Sequence, residues 1–442
     1  MRIHIVGAGP TGLTVAWELA KLKKHQILVY DKKPGPGGSW WEPTSERRNL
    51  HAARAAFKNG WVNTTDLFRE MGIKWSDVFE PLQKTLPEGS LFSALDYCAL
   101  AYLAIRILMS PDTYKHVSIK DALGKELSEK GQKTLEHLTY QIDGIPWDVM
   151  TAYELIRTFD FTALSKIETQ KMSGDKMGHL MQKALEKVGV EFFFNSELSK
   201  LVYGKGDDSF KAYFSEDPIE DGLLILCPDA GPAKKLVGDN WGPDAKDILT
   251  KGTYESVTIM LYYNTELPPL PSGLVISMNT ELGMLAHALS DNKTIVVSLL
   301  KKPPKDLDPD QLSEEVVKQL KGVPGMPNLP QLASHAIGWG SRWVQGGWTH
   351  TQTGHTYSTL GTLPFFGKNK KVALCGMMSE RSTPYSCMEA AIEVGRSFCS
   401  KNFGTPKPRK PWTVSKLILV IIILWVALTV KSSGKPAQAL TR

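Results

Sequence analysis

The sequence predicts an α/β fold that opens with a Rossmann-like βαβ unit and ends in a C-terminal transmembrane helix. Three observations carry this. A glycine signature stands in register between two apolar strands near the N-terminus. The 442 residues are 42% hydrophobic and 22% charged, an ordinary globular composition with room for two or three domains. An uncharged apolar run lies inside a basic tail.

Residues 2–6 (RIHIV) read as a short strand that runs into GAGPTG at 7–12. Residues 13–22 follow with helical periodicity, placing Val15, Leu19 and Leu22 on one face. A second strand at 27–30 ends on Asp31, 19 residues after the last glycine. Each position has a physical task in dinucleotide binding. Gly7 permits the tight turn, Gly9 lets the backbone approach a pyrophosphate, and Gly12 lets the helix pack closely. Pro10 and Thr11 start the helix, whose N-terminus attracts phosphate, and Asp31 accepts from a ribose hydroxyl.

Charge and cysteine usage exclude several classes. The net charge is +6, yet residues 405–442 hold seven basic residues (Lys407, Arg409, Lys410, Lys416, Lys431, Lys435, Arg442) and no acid. The rest of the chain is therefore at −1, with 45 basic against 46 acidic residues. A neutral body with a basic tail is not a nucleic-acid-binding profile. The five cysteines (Cys98, Cys227, Cys375, Cys387, Cys399) contain no CxxC pair, which excludes a zinc ribbon and fits a reducing compartment. His350 and His355 flank TQTG without a third ligand at metal spacing, so no metal is expected.

Residues 417–430 (LILVIIILWVALTV) carry no charge, and counting from Trp412 gives 19 residues, about 28 Å of helix against a bilayer core of about 30 Å. Lys416 can snorkel to the headgroups, and Trp412 sits at interfacial depth. The preceding TPKPRKP reads as a stiff extended spacer. A single C-terminal span without an N-terminal signal peptide predicts a tail-anchored protein with a cytosolic body. Residues 91–109 are also apolar, but Asp96 and Arg106 argue against a second span. That stretch reads as a buried helix, the alternative being a helix that dips into the membrane.

The continuation after Asp31, through Lys32 to Gly37, Gly38, Ser39 and Trp40, resembles flavoproteins of the glutathione-reductase-like superfamily. The likeness is to the FAD-dependent amine oxidoreductase and phytoene desaturase group. Residues 173–201 resemble that group's helix and returning strand, and residues 221–232 its "acid, apolar strand, Pro turn". Residues 371–398 resemble its closing strand, Gly376 and the MEAAIxxG helix. This resemblance implies a discontinuous FAD domain (1–84, 171–235, 366–404) and a mixed α+β substrate domain (85–170, mostly helical, and 236–365). A linker (405–411), the anchor (412–430) and a short tail (431–442) complete the chain.

The same resemblance implies non-covalent FAD held by the glycine signature and by Leu198, Gly376, Met377 and Met388, with His51 and Arg54 nearby. Departures from the group are specific. Ser39 and Trp40 stand where its phosphate-binding Arg follows Gly-Gly, and Met377 and Met378 stand where an acid follows the closing glycine, Glu380 being the nearest acid. Trp348 replaces the flavin-linking Cys of monoamine oxidases, and Thr349 and Cys387 replace their two cage tyrosines. Trp348, Tyr385 and Cys387 are the implied pocket residues. The implied activity is hydride abstraction from an amine or an unsaturated, apolar substrate by a membrane-anchored oxidoreductase. Its alternatives are a flavin-fold isomerase or cyclase and an FAD-binding scaffold. A monooxygenase would need a second GxGxxG for NADPH, which the sequence lacks.

Overall fold

In the computed structural model, the described residues are 1–38, 55–81, 92–143, 145–171, 174–204, 208–214, 217–237, 239–242, 245, 252–254, 257–270, 275–277, 280–288, 291–299, 301–338, 341–350, 354–356 and 363–418. The chain opens with β1 (Arg2–Val6), α1 (Pro10–Ala20) and β2 (Gln26–Tyr30). β3 (Ala55–Phe57), α2 (Val62–Met71), α3 (Trp75–Val78) and β4 (Phe79–Pro81) follow. A helical stretch comes next: α4 (Ala94–Met109), α5 (Pro111–Tyr114), α6 (Ile119–Leu123), α7 (Glu129–Asp143) and α8 (Ala152–Thr162). β5 (Ile167–Gln170), α9 (Gly174–Glu186) and β6 (Glu191–Phe193) return the chain to its starting sheet. β7 (Lys200–Tyr203), β8 (Phe210–Tyr213) and β9 (Pro218–Ile219) then form a meander before β10 (Leu223–Leu226) and α10 (Ala230–Leu236). The second unit holds β11 (Gly252–Tyr254), β12 (Thr258–Tyr263), β13 (Val275–Ser277), β14 (Met284–Ala288), β15 (Thr294–Leu299) and α11 (Pro309–Lys321). It continues through β16 (Leu332–Ile337), β17 (Ser341–Val344), β18 (Gly347–His350) and β19 (Gly354–Thr356). β20 (Val372–Leu374) and α12 (Met388–Phe403) close the chain.

The first sheet has the order β20-β10-β1-β2-β6, with every pair parallel. Its central strands are apolar on both faces because both faces are covered. Ile3, Ile5, Val29 and Ile225 pack toward α1, α9 and α12, while Val6, Leu224 and Leu226 pack toward the β7–β9 meander and α10. α1 is buried from Thr11 to Ala20, which explains its apolar sequence beyond the single face that periodicity marked. It packs against α12, where a Cβ on Gly395 would stand 3.0 Å from Thr14 Cβ, so the two helices touch backbone to side chain. The second sheet, β13-β14-β15-β12-β16, is antiparallel and has its own core with α11.

One expectation changes. Within the apolar stretch ending at Met109, α4 buries Asp96, Leu103 and Ile107, but its outer face is open, so it is not a buried helix. Asp96 completes a capping box with Ser93 and also accepts from the Ser128 amide and hydroxyl. Burial opposes its charge, but these hydrogen bonds prevail and hold the carboxyl at about 2. Residues 405–411, read as a stiff extended spacer, and the residues that follow are tied to the body by hydrogen bonds. The Arg409 guanidinium bonds both oxygens of Asp66 on α2 (3.2 and 3.0 Å), and its backbone exchanges two hydrogen bonds with the Asn63 side chain. The Ser415 amide and hydroxyl donate to Asp160 of α8 at 2.7 and 2.8 Å. Residues 414–418 begin a helix, and the remainder of the anticipated span lies outside the described residues. Among the described residues no helix is long and apolar enough to cross a membrane.

Candidate dinucleotide site

The strand order changes direction between β1 and β10, so the crevice beyond the carboxyl end of β1 is where an open parallel sheet takes a ligand. The glycine signature occupies that point. Gly7 leaves β1 at φ +112°, donates to the Tyr30 carbonyl at 2.7 Å, and has no room for a Cβ, which would stand 2.7 Å from the Cys227 carbonyl oxygen beyond β10. A Cβ on Gly12 would run into the Gly7 carbonyl oxygen, so this glycine is what lets α1 seat on its own turn. Gly9 caps α1, and Pro10 is the first helical residue.

The Gly37–Gly38 turn folds back onto this loop. The Gly37 amide donates to Ala8 O at 2.9 Å, and a Cβ on Gly38 (φ +58°) would stand 2.8 Å from the Gly9 Cα. Two glycines thus meet backbone to backbone beside the N-terminus of α1. From the other side α9 closes on the turn, since a Cβ on Gly178 would lie 2.6 Å from Pro36 O. The Lys33 ammonium donates to Gly38 O at 2.6 Å, whereas Lys32 points to solvent.

Asp31 does more than wait for a ribose. Its Oδ2 accepts from the Ala8 amide at 2.7 Å and its Oδ1 from the Lys33 amide at 2.8 Å, tying the glycine loop to the end of β2. Leu198 is buried just beyond a segment strapped to this acid, where Asn195 and Ser196 amides donate to the Lys33 and Asp31 carbonyls. Ser39, Trp40, His51 and Arg54 lie outside the described residues.

The closing element reaches the same end of the sheet. The Cys375 amide donates to Leu226 O at 2.7 Å, Gly376 opens a turn, and Met377 and Met378 follow. Arg381 in this loop is 5% exposed. One nitrogen donates to Met377 O at 3.0 Å, while Nε and Nη2 find no partner among the described residues. Burying guanidinium nitrogens without partners is costly, which makes Arg381 a candidate contact for an anionic group. Glu380, the acid nearest the closing glycine, instead pairs with Lys401 on the surface.

Residues 5–68 match the NAD(P)-binding Rossmann-like domain family. The fold is similar to that of an oxidoreductase from Methanosarcina mazei over 89% of this chain and 99% of that one (TM-score 0.64, 13% identity). Putrescine oxidase with putrescine bound is similar over 91% of this chain and 99% of that one (TM-score 0.67, 12% identity). Cyclohexylamine oxidase from Brevibacterium oxydans is similar over 89% and 96% respectively (TM-score 0.65, 11% identity). The chain has the fold of these oxidoreductases.

Within that fold, the three residues that the resemblance implies for the pocket fall in two cores. Trp348 sits on the β17–β18 hairpin, packs edge-to-face on Trp343, donates to Leu307 O at 3.0 Å, and rests on the core of the second sheet. Tyr385 and Cys387 belong to the closing loop and the core of the first domain. Tyr385 is buried, its hydroxyl accepts from the Trp61 indole at 3.0 Å, and burial pushes its phenol well above the ordinary value, so it stays neutral. Cys387 and Met388 form the cap and first residue of α12.

Sequence reasoning missed the next residue. Glu389 caps α2 from a distance, accepting from the amides and side chains of Asn63 and Thr64 at 2.7–2.9 Å. Burial pushes its carboxyl up to about 7, against the pull of those four bonds. No local spacing marks Glu389, because its partners Asn63 and Thr64 lie in another segment.

Proposed function

We propose that the chain is an oxidoreductase that holds FAD without a covalent bond and takes a hydride from an amine or an unsaturated, apolar substrate. The glycine cradle carries this reading. Gly9 and Gly38 meet beside the N-terminus of α1 with no side chain between the helix end and a pyrophosphate. The neighbouring residues fit the same group. Asp31 keeps a lone pair on each oxygen for a ribose hydroxyl beyond the two backbone bonds it already accepts. Arg381 offers the N–H groups of two unpartnered nitrogens to an anionic part of the cofactor, a charge that compensates for the absent Arg after Gly-Gly. Gly376, Met377 and Met388 line the approach from the closing element, and Leu198 the approach from β6.

When bound, FAD supplies the hydride acceptor, and the protein's part is to bind, orient and exclude water. Tyr385, neutral and hydrogen-bonded to Trp61, offers a fixed aromatic wall beside Cys387. The amine reading is supported by two relatives in fold, putrescine oxidase and cyclohexylamine oxidase. Non-covalent attachment follows from Trp348 at the position of the flavin-linking Cys in the resembling family. The apolar segment 412–430 is the membrane anchor of this reading.

Acid precipitation of the purified protein should release a yellow supernatant with an FAD spectrum, and peroxide production across a panel of amines and polyenes should identify the substrate class. Colourless native protein rejects the cofactor. Flavin retained on the denatured chain rejects only the non-covalent attachment.

A further inference from the structure

Helix α4 turns its apolar side outward. Leu95, Cys98, Tyr102, Ile105 and Met109 recur at alternating spacings of three and four residues, which at 3.6 residues per turn places them in one stripe. All five are exposed, Leu95 by 78% and Met109 by 71%, and Tyr97 and Leu108 flank the stripe at 53% and 59%. A helix on a water-facing surface carries polar residues there, and a continuous apolar patch marks a docking face. Charge on α4 is arranged to match. Its only acid, Asp96, is folded inward onto Ser93 and Ser128, so the outer face bears no negative charge. Its only cation, Arg106, lies at the edge of the stripe with its guanidinium over the Tyr102 and Tyr114 rings, 5.6 and 5.3 Å from their centroids. A long cationic stem between the buried Tyr114 and the exposed Tyr102 suits a headgroup boundary.

A second observation points to the same occupant. α4 packs against α8, and Asp160 of α8 anchors Ser415, immediately before the apolar run that begins at Leu417. Lys407 and Lys410 lie along this docked segment beside Arg409, which pairs with Asp66, and Lys416, which donates to the Pro411 carbonyl, and this local excess of basic residues favours anionic headgroups. α4 and the residue that precedes the apolar run are thus both held by α8.

We propose that α4 lies in the headgroup–acyl boundary of a lipid bilayer, its outward stripe immersed, beside the C-terminal apolar segment. This rests on the anchoring role of that segment and extends it, because a lone tail leaves the body free to rotate whereas α4 fixes one face against the lipid.

Cys98 sits within the stripe and is the exposed one among the five free cysteines, so it takes a probe selectively. The full chain, labelled there with a polarity-sensitive maleimide, is bound to phosphatidylcholine vesicles containing phosphatidylglycerol and recovered by flotation. The expected result is a blue-shifted emission that is quenched by lipids brominated near the headgroup end of the acyl chain and protected from iodide. Ile105→Asn with Met109→Asn should leave flotation intact but return the probe to iodide. Flotation with a wild-type probe still open to iodide overturns the α4 assignment and spares the tail anchor. Absence of flotation overturns both. A probe already shielded before vesicles are added shows that protein covers the stripe, and the proposal fails.

Discussion

Adding one methyl group at Gly9 or at Gly12 separates a glycine kept for a ligand from a glycine kept for the fold. Gly9 has φ −79° and ψ 176°, extended backbone that any residue adopts. A Cβ there meets only the Gly38 Cα at 3.5 Å, an ordinary contact. Gly9→Ala should therefore leave the flavin-free protein as stable as wild type, or more stable by about 0.4–1 kcal/mol, because alanine restricts the unfolded chain. The same methyl enters the slot between Gly9 and Gly38, so the Kd for FAD should rise at least tenfold, about 1.4 kcal/mol. At Gly12 the methyl runs into the Gly7 carbonyl oxygen and comes within 3.3 Å of Ile5 Cγ2. Both obstacles belong to β1 and its turn, and relief requires lifting α1 off the sheet, at about 2–3 kcal/mol. Urea unfolding of flavin-stripped protein, followed by circular dichroism, gives the stabilities, and quenching of FAD fluorescence gives the affinities. Wild-type affinity in Gly9→Ala would move the dinucleotide elsewhere, and wild-type stability in Gly12→Ala would refute the packing argument.

Arg381→Met should weaken FAD binding about tenfold or more while leaving the flavin-free protein as stable or more so, since an unpaired buried charge is removed. Unchanged affinity with lowered stability would make Arg381 a structural residue. Trp348→Ala should cost about 2 kcal/mol, less than the ~3–5 of a fully buried large aromatic, and leave the flavin absorbance alone because the ring packs on the second sheet. A shifted flavin spectrum would return Trp348 to the cofactor. Truncation after residue 418 should preserve unfolding stability, whereas truncation after residue 404 removes Arg409 from Asp66 and Ser415 from Asp160 and should cost about 2–4 kcal/mol; equal stabilities would show that the docked segment contributes nothing. His137 on α7 has its pKa lowered to about 4, chiefly by burial and secondarily by Lys301. The unfolded chain therefore binds its proton first, and stability from the neutral ring, present above about pH 6.5, is lost as pH falls toward 4. Relative to His137→Leu, the wild type should lose about 2 kcal/mol over that window after allowing for solvent screening, and parallel pH curves would contradict this.

The glycine cradle was legible in the sequence because its logic is local. A strand, a tight turn, a helix start and an acid at the end of the next strand are all defined within about thirty residues, and steric rules at each glycine determine what the turn can do. The basic apolar tail was legible for the same reason. What local pattern leaves open is which distant groups a residue meets. Tyr385 and Trp61 are 324 positions apart, and Arg409 and Asp66 are 343 apart. Nothing in the spacing of either pair records the contact, which exists only because α12 and residues 405–416 pack back onto α2. Trp348 is a similar case, since the spacing of its aromatic-rich stretch does not record that the ring bonds Leu307, 41 positions away, and packs on the second-sheet core.

By itself, the sequence determined that this protein has a dinucleotide-binding βαβ opening and an apolar C-terminal segment, because backbone sterics and hydrophobic periodicity act over a few residues. Only the tertiary structure decided that Asp31 ties the glycine loop down and that Arg381 is buried with open donors. It alone decided that α4 faces outward, because α4 is apolar nearly all round and burial depends on what else packs against it.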